Sequence, residues 1–330
     1  MYKLFLICGP FSGSMKYYAI ALLLFFSFTV QSQNVRPGEF KTLDSLVQQV
    51  GPMKDALLFD IVDRITQTCH DERTCTRAIY DWIAYNISYD CIGYHHKGLQ
   101  NTNVTQILKY RIATAEGYAL LFKAMCDRRH ITCNIINGYS RNVGKNIGKS
   151  KKKPDHAWNA VNIHNQWYLV DACWAAGTTN AKKKEFYPEF NDSYFFPDPE
   201  RFAFTHYPAN RKWQLQDEPL TRSEFTWSPV PLGDYIKSDL VATNQRKGVL
   251  RGKRGDCKRI ILTLREGTKI AELSLQYKDE PLLKKTTFYV VGNEVFFDLE
   301  MPKKGKYPVQ LYLNSEPVIA FVCEVKNKKK

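Results

Sequence analysis

Two short apolar segments constrain this chain more than anything else in it. Asp155-His156-Ala157-Trp158-Asn159-Ala160-Val161 and Trp167-Tyr168-Leu169-Val170-Asp171-Ala172-Cys173-Trp174 both read as strands, and the turn His164-Asn165-Gln166 folds one back on the other. A hairpin of this kind sets a His on one strand against an Asp on the next, which is the pattern of a base and the carboxylate that orients it. Upstream, Arg111-Ile112-Ala113-Thr114-Ala115-Glu116-Gly117-Tyr118 opens an amphipathic run with Tyr118, Leu121, Phe122 and Met125 at helical spacing. Ala115 then falls in the first turn of a helix, where free N–H groups and the helix dipole would depress the pKa of a thiol. The surroundings suit a nucleophile, and the residue is alanine.

These segments resemble the transglutaminase-like superfamily of thiol hydrolases and transferases, and within it the kyphoscoliosis-peptidase-like branch. The family pattern Gly/Ala-Val-Cys-x-Gly-Tyr-Ala is matched by Thr114-Ala115-Glu116-Gly117-Tyr118-Ala119 with the cysteine gone. Arg77-Ala78-Ile79-Tyr80-Asp81-Trp82-Ile83 and Tyr89-Asp90 match the helix that leads into it. The resemblance covers roughly residues 72–230. It implies an α+β fold, a transglutaminase/papain-like core of helices packed on an antiparallel sheet. It also implies a triad with Ala115 in the degenerate nucleophile position, His156 as base and Asp171 as orienter, a hydrogen bond between His156 and Asp171, and no cofactor.

Other residues near these three are weaker candidates. Trp158 and Trp174 are either pocket walls or core, and Glu116 is read as a helix N-terminal charge at the edge of a binding site. Cys126 lies about 16 Å along the helix axis from Ala115, too far to replace a nucleophile there. Cys173 follows Asp171 closely enough to be the one candidate for a relocated thiol, although packing is the plainer role. The pair His95-His96 has no recurring ligand spacing, so no metal is expected.

Apolar residues make up 44% of the 330 positions and aromatics 13%, enough for sizeable cores, and the length favours more than one domain. The apolar run at residues 17–30 after Lys16 has signal-peptide length, with cleavage expected after Ser32 and Met15 a possible true start. The expected organisation is a leader at 1–32, a helical lead-in at 33–70, the transglutaminase-like domain at 71–233, a small β-sandwich at 234–325 and a basic tail at 326–330. Alternating segments at 259–264, 287–291, 295–299, 309–313 and 318–325 carry the sandwich. Residues 178–233, rich in aromatics and proline, read as an extended segment wrapped on the first domain.

The net charge of +14 is concentrated partly at residues 145–153 and in the tail. It suits a solvated surface or attraction to an anionic envelope, and nothing accompanying it suggests nucleic acid. Without Cys8 of the leader, eight cysteines remain, an even number compatible with disulfides in an oxidising compartment. Cys257 and Cys323, on the first and last strand-like segments of the sandwich, are expected either to form a bridge or to stay two buried free thiols. The resulting functional expectation is a secreted or periplasmic, extracytoplasmic protein. It would be a catalytically inactive binder of a peptide, protein or glycan, with a cleft that retains base and orienter. The alternatives are an active thiol hydrolase or transferase using Cys173, and a structural or adhesion protein of the envelope.

Overall fold

The computed structural model describes residues 38–96, 103–141, 147–180, 182–233, 235–236, 238–277 and 282–327, all within one compact unit. The expected leader, Lys145 and the last three lysines lie outside the described residues. No helix among the described residues is long and apolar enough to cross a membrane.

The fold is α+β. A four-stranded antiparallel sheet runs in the order Gln166–Val170, His156–Ile163, Thr132–Ser140, His206–Pro208. The helix Ala115–Arg128 packs against its two central strands. Tyr118, Leu121, Phe122 and Met125, the residues picked out by helical spacing, are all buried in this contact. Asn159 crosses from the sheet to donate Nδ2–H to the Ala119 carbonyl at 3.0 Å, so the strand carrying His156 is tied to the helix that Ala115 opens.

Asp71 caps the helix Glu72–Asn86 by accepting the Thr74 N–H at 2.7 Å. Every residue from Cys75 to Ala84 is buried, including Arg77 and Asp81. The reason is coverage from several sides. The N-terminal helix Lys41–Val50 lies along it, and Asp44 clamps the buried Arg77 at 3.0 and 2.9 Å. From the far side, the Tyr80 hydroxyl donates to the Asn191 carbonyl at 2.7 Å.

Two local features set the sheet's geometry. His164 and Asn165 both adopt the left-handed conformation, at φ 50° and 64°, which a tight two-residue hairpin requires. Gly138 lies inside the strand Thr132–Ser140. A Cβ there would come within 2.3 Å of the Trp158 ring and 2.5 Å of the Tyr207 carbonyl oxygen, so the strand needs glycine for packing rather than for turning.

The C-terminal part is a two-sheet sandwich around its own core. One sheet runs Leu240–Thr243, Cys257–Leu264, Glu294–Glu300, Phe288–Val291. The other runs Val249–Lys253, Glu316–Lys326, Gly305–Leu313, Leu273–Tyr277, Lys284–Lys285. Val230–Pro231 also pairs with Glu316–Lys326, so the second sheet begins before residue 234.

The expected Cys257–Cys323 bridge is absent. The two residues stand in different sheets, Cys257 exposed opposite Glu300 and Cys323 buried opposite Leu250 and Tyr307. All eight cysteines from Cys69 to Cys323 are free thiols. First and last segments of a sandwich are neighbours only when they share a sheet, and here they do not.

Candidate active site

Thr114, in extended conformation, accepts the Tyr118 N–H at 2.9 Å and starts the helix Ala115–Arg128. The N–H groups of Ala115, Glu116 and Gly117 therefore precede the first intrahelical bond and make this end of the helix electropositive. Ala115 is buried, while Glu116 projects to solvent in the same first turn. The Thr114 hydroxyl is buried and has no hydrogen-bond partner among the described residues.

His156 begins its strand opposite Gly138, and Asp171 directly follows Gln166–Val170. Asp171 is also the N-cap of the short helix Ala172–Ala176, its Oδ1 accepting the Trp174 N–H at 2.9 Å. That bond orients the carboxylate and leaves Oδ2 to accept from His156 Nε2 at 2.6 Å. The expected hydrogen bond between His156 and Asp171 is present.

A second imidazole converges on the same oxygen. His206, first residue of His206–Pro208, places its Nε2 3.0 Å from Asp171 Oδ2. An ionised carboxylate only accepts, so both imidazoles carry hydrogen on Nε2. The Nδ1 of His206 lies 2.8 Å from the Thr205 hydroxyl, whereas Nδ1 of His156 has no partner among the described residues. His156 therefore keeps one basic nitrogen free while His206 is occupied on both sides. Sequence reasoning gave His206 no role in the site: it stands 35 positions from Asp171, at the end of the aromatic stretch Tyr194 to His206 that resembles the tail of the family domain.

The network is enclosed by rings. Phe202 stacks on His206 at 3.8 Å between centroids, and Trp174 lies 4.4 Å from His206 and 5.5 Å from His156. Trp158 lies 5.9 Å from His156 and 5.2 Å from His206. Trp158 is wholly buried and Trp174 half-buried, so of the two only Trp174 reaches the surface of the site. His156, Asp171 and His206 are all buried.

Burial works against the Asp171 charge. The His156 charge and the hydrogen bonds from both histidines outweigh it, and hold the carboxyl well below the usual carboxylate range. Burial pushes His206 down to about 4 despite Asp171, so it is a neutral donor at physiological pH. The ligand atoms of the three residues lie within 4.8 Å of one another, but both Nε2–H groups are already given to one oxygen, and a metal would have to displace both protons.

Cys173 lies not on a strand but inside the helix Ala172–Ala176 that Asp171 caps. It is buried, and desolvation pushes its thiol well above the ordinary value, the opposite of what a thiolate nucleophile needs.

The neutrality of His206 has a measurable consequence. Unfolded chains take up a proton near pH 6.5 that the folded protein accepts only near pH 4, so acidification through this window costs stability on the order of 3 kcal/mol. His206→Gln keeps an N–H donor but cannot titrate. Thermal unfolding of the variant is expected to be flatter than wild type between pH 6.5 and 4, and parallel profiles would contradict the assignment.

Residues 60–172 match the family model of the transglutaminase-like superfamily. The chain is 29% identical to human kyphoscoliosis peptidase over 69% of its own length and 34% of that protein. It is 31% identical to the mouse kyphoscoliosis peptidase over 66% of its length and 32% of the relative. Against Hillarin of Drosophila melanogaster the identity is 26%, covering 84% of this chain and 37% of that one. The chain thus spans about a third of the length of the relatives it matches. Among solved structures, a TGase crystal structure is similar at 16% identity and a TM-score of 0.28, over 50% of this chain and 40% of that one. The matched segment contains Ala115, His156 and Asp171 but ends before His206. Residues 60–172 thus carry a domain of the transglutaminase-like superfamily, and the chain is similar in sequence to the kyphoscoliosis peptidases.

Proposed function

We propose that this protein is a catalytically inactive binder: a transglutaminase-like domain that has kept the base, its orienter and the helix N-terminus of a thiol enzyme and has lost the thiol. One observation carries the reading. His156 is held by Asp171 with Nδ1 free, while the residue opening the helix Ala115–Arg128 is a methyl group. Without a covalent nucleophile the acyl-transfer pathway is removed rather than slowed, and only positioning and electrostatic stabilisation remain. The helix N-terminus can still receive a carbonyl oxygen or an anionic group. The ligand class is a peptide, protein or glycan, and the site of action is outside the cytoplasm, at the cell envelope. The apolar, signal-like run at residues 17–30 supports that location.

An active enzyme using Cys173 is disfavoured by the burial of that thiol. The reading is tested by incubating wild type with casein peptides and a fluorescent primary amine. Cleavage and amine incorporation should stay at the level of a buffer blank while the peptides bind, and Trp174→Ala should weaken that binding. Turnover abolished by iodoacetamide would establish the thiol enzyme instead. Binding indifferent to Trp174→Ala would place the activity outside the cleft, as expected of a structural or adhesion protein.

A further inference from the structure

Just past the end of Thr132–Ser140, Arg141 is 4% exposed and its guanidinium meets only uncharged acceptors. Nε donates to the Phe204 carbonyl at 2.9 Å and Nη1 to the Ser228 carbonyl at 3.0 Å. Nη2 donates to the Ser228 hydroxyl at 2.5 Å and the Pro229 carbonyl at 3.2 Å. The Phe225 ring lies 4.5 Å away. No carboxylate pairs with Arg141 among the described residues. A buried cation without a counter-charge is costly to fold, and burial drives Arg141 down to about 9.

Arg141 is part of the wall of a pocket, and the rest of that wall adds charge of the same sign. Lys149, Lys151 and Arg222 line it, and none of the lining residues is acidic. Arg222 lies 3.9 Å over the Tyr139 ring and donates to the Lys151 carbonyl. The nearby carboxylate, Asp155, is occupied by Lys151 and by the Ser140 N–H at 3.1 Å. Arg141, Lys149 and Arg222 thus remain three cations around one small pocket with no carboxylate partner among the described residues. Like charges gathered this way repel, and the arrangement is stabilised by an anion between them.

We propose that this pocket binds one tetrahedral oxyanion, a phosphate or sulfate group, with Arg222 and Lys149 as its direct donors and Arg141 as the buried charge at its base. A doubly charged group answers more of the unpaired cations than a carboxylate does, and it offers acceptors in several directions for the converging N–H groups. The inference is independent of the degenerate triad. It gives part of the basic segment at 145–153 a specific role in place of diffuse surface charge.

The test is titration of the full chain with sodium sulfate and sodium phosphate against sodium chloride at equal ionic strength, read by calorimetry and thermal unfolding. Saturable binding is expected for the oxyanions but not for chloride, with unfolding shifted upward. Lys149→Gln with Arg222→Gln should weaken binding at least about tenfold. Lys149→Glu, a single exposed substitution that sets a carboxylate in the pocket, should abolish it. A phosphate monoester binding more tightly than inorganic phosphate would identify a group carried on a larger ligand, and equal affinity would identify the free ion. Oxyanions acting no differently from chloride, or undiminished binding in folded Lys149→Glu, would overturn the proposal.

Discussion

Replacing Ala115 with cysteine is expected to create a fast-reacting thiol. The side chain would sit in the first turn of Ala115–Arg128, beside N–H groups that precede the first intrahelical bond, in a domain where His156 keeps a free Nδ1. Both a helix N-terminus and a neighbouring imidazole favour thiolate, and together they bring cysteine pKa values from about 8.5 to about 7 or below. Iodoacetamide labelling of Ala115→Cys at pH 6 should therefore outpace that of the exposed Cys257 by roughly tenfold or more. Cys257 supplies the internal standard, since it is exposed in both proteins. Cys173 should stay unlabelled in the native protein because burial raises its thiol. An introduced cysteine that titrates like Cys257 would mean that His156 and the helix end do not act on residue 115, and the degenerate-triad reading would fall with it.

Removing the charge of Asp171 is expected to have the largest effect on stability. One carboxylate caps the helix Ala172–Ala176 and accepts from two imidazoles, all within a buried cage. In Asp171→Asn, the amide can accept from only one side and would oppose its own N–H to an Nε2–H. Breaking a buried charge network at one partner costs about 3–5 kcal/mol, which for a chain of this size lowers the melting temperature by roughly 10 °C. The pH dependence gives a second readout. Asp171 is held below its unfolded pKa of about 3.9, so its contribution is fully present above that value and is lost as pH falls toward the folded pKa. The gap between wild type and variant should thus narrow as pH falls below about 4. Introduced into Ala115→Cys, the same change should slow labelling at pH 6, because His156 loses the partner that orients its ring. A variant as stable as wild type at pH 7 would show that the network contributes nothing to folding.

Much of the site was legible because its parts are local. The helix Ala115–Arg128 follows from four apolar residues at helical spacing, and the hairpin follows from two apolar segments around His164-Asn165. A hairpin pairs residues by counting outward from its turn, so the approach of His156 to Asp171, 15 positions apart, was open to inspection. The same alternation marked the strands Cys257–Leu264, Glu294–Glu300, Gly305–Leu313 and Glu316–Lys326. It did not mark Leu240–Thr243 or Leu273–Tyr277, which are short and lack strong turn signals.

By itself, then, the sequence determined the helix that Ala115 opens and the hairpin that brings His156 to Asp171, because each is a matter of side-chain identity read along one helix or one hairpin, and its family resemblance pointed to the α+β class. Tertiary structure alone decided which distant segments meet. It brought His206 to Asp171 across the edge of the sheet, and put Trp158 in the space that keeps Gly138 a glycine. It placed Cys257 and Cys323 in separate sheets, and left the Arg141 charge buried without a carboxylate among the described residues. Local periodicity says which face of an element is apolar. The partner that face finds is settled by packing the whole core, where one wrong neighbour costs as much as several correct local preferences supply.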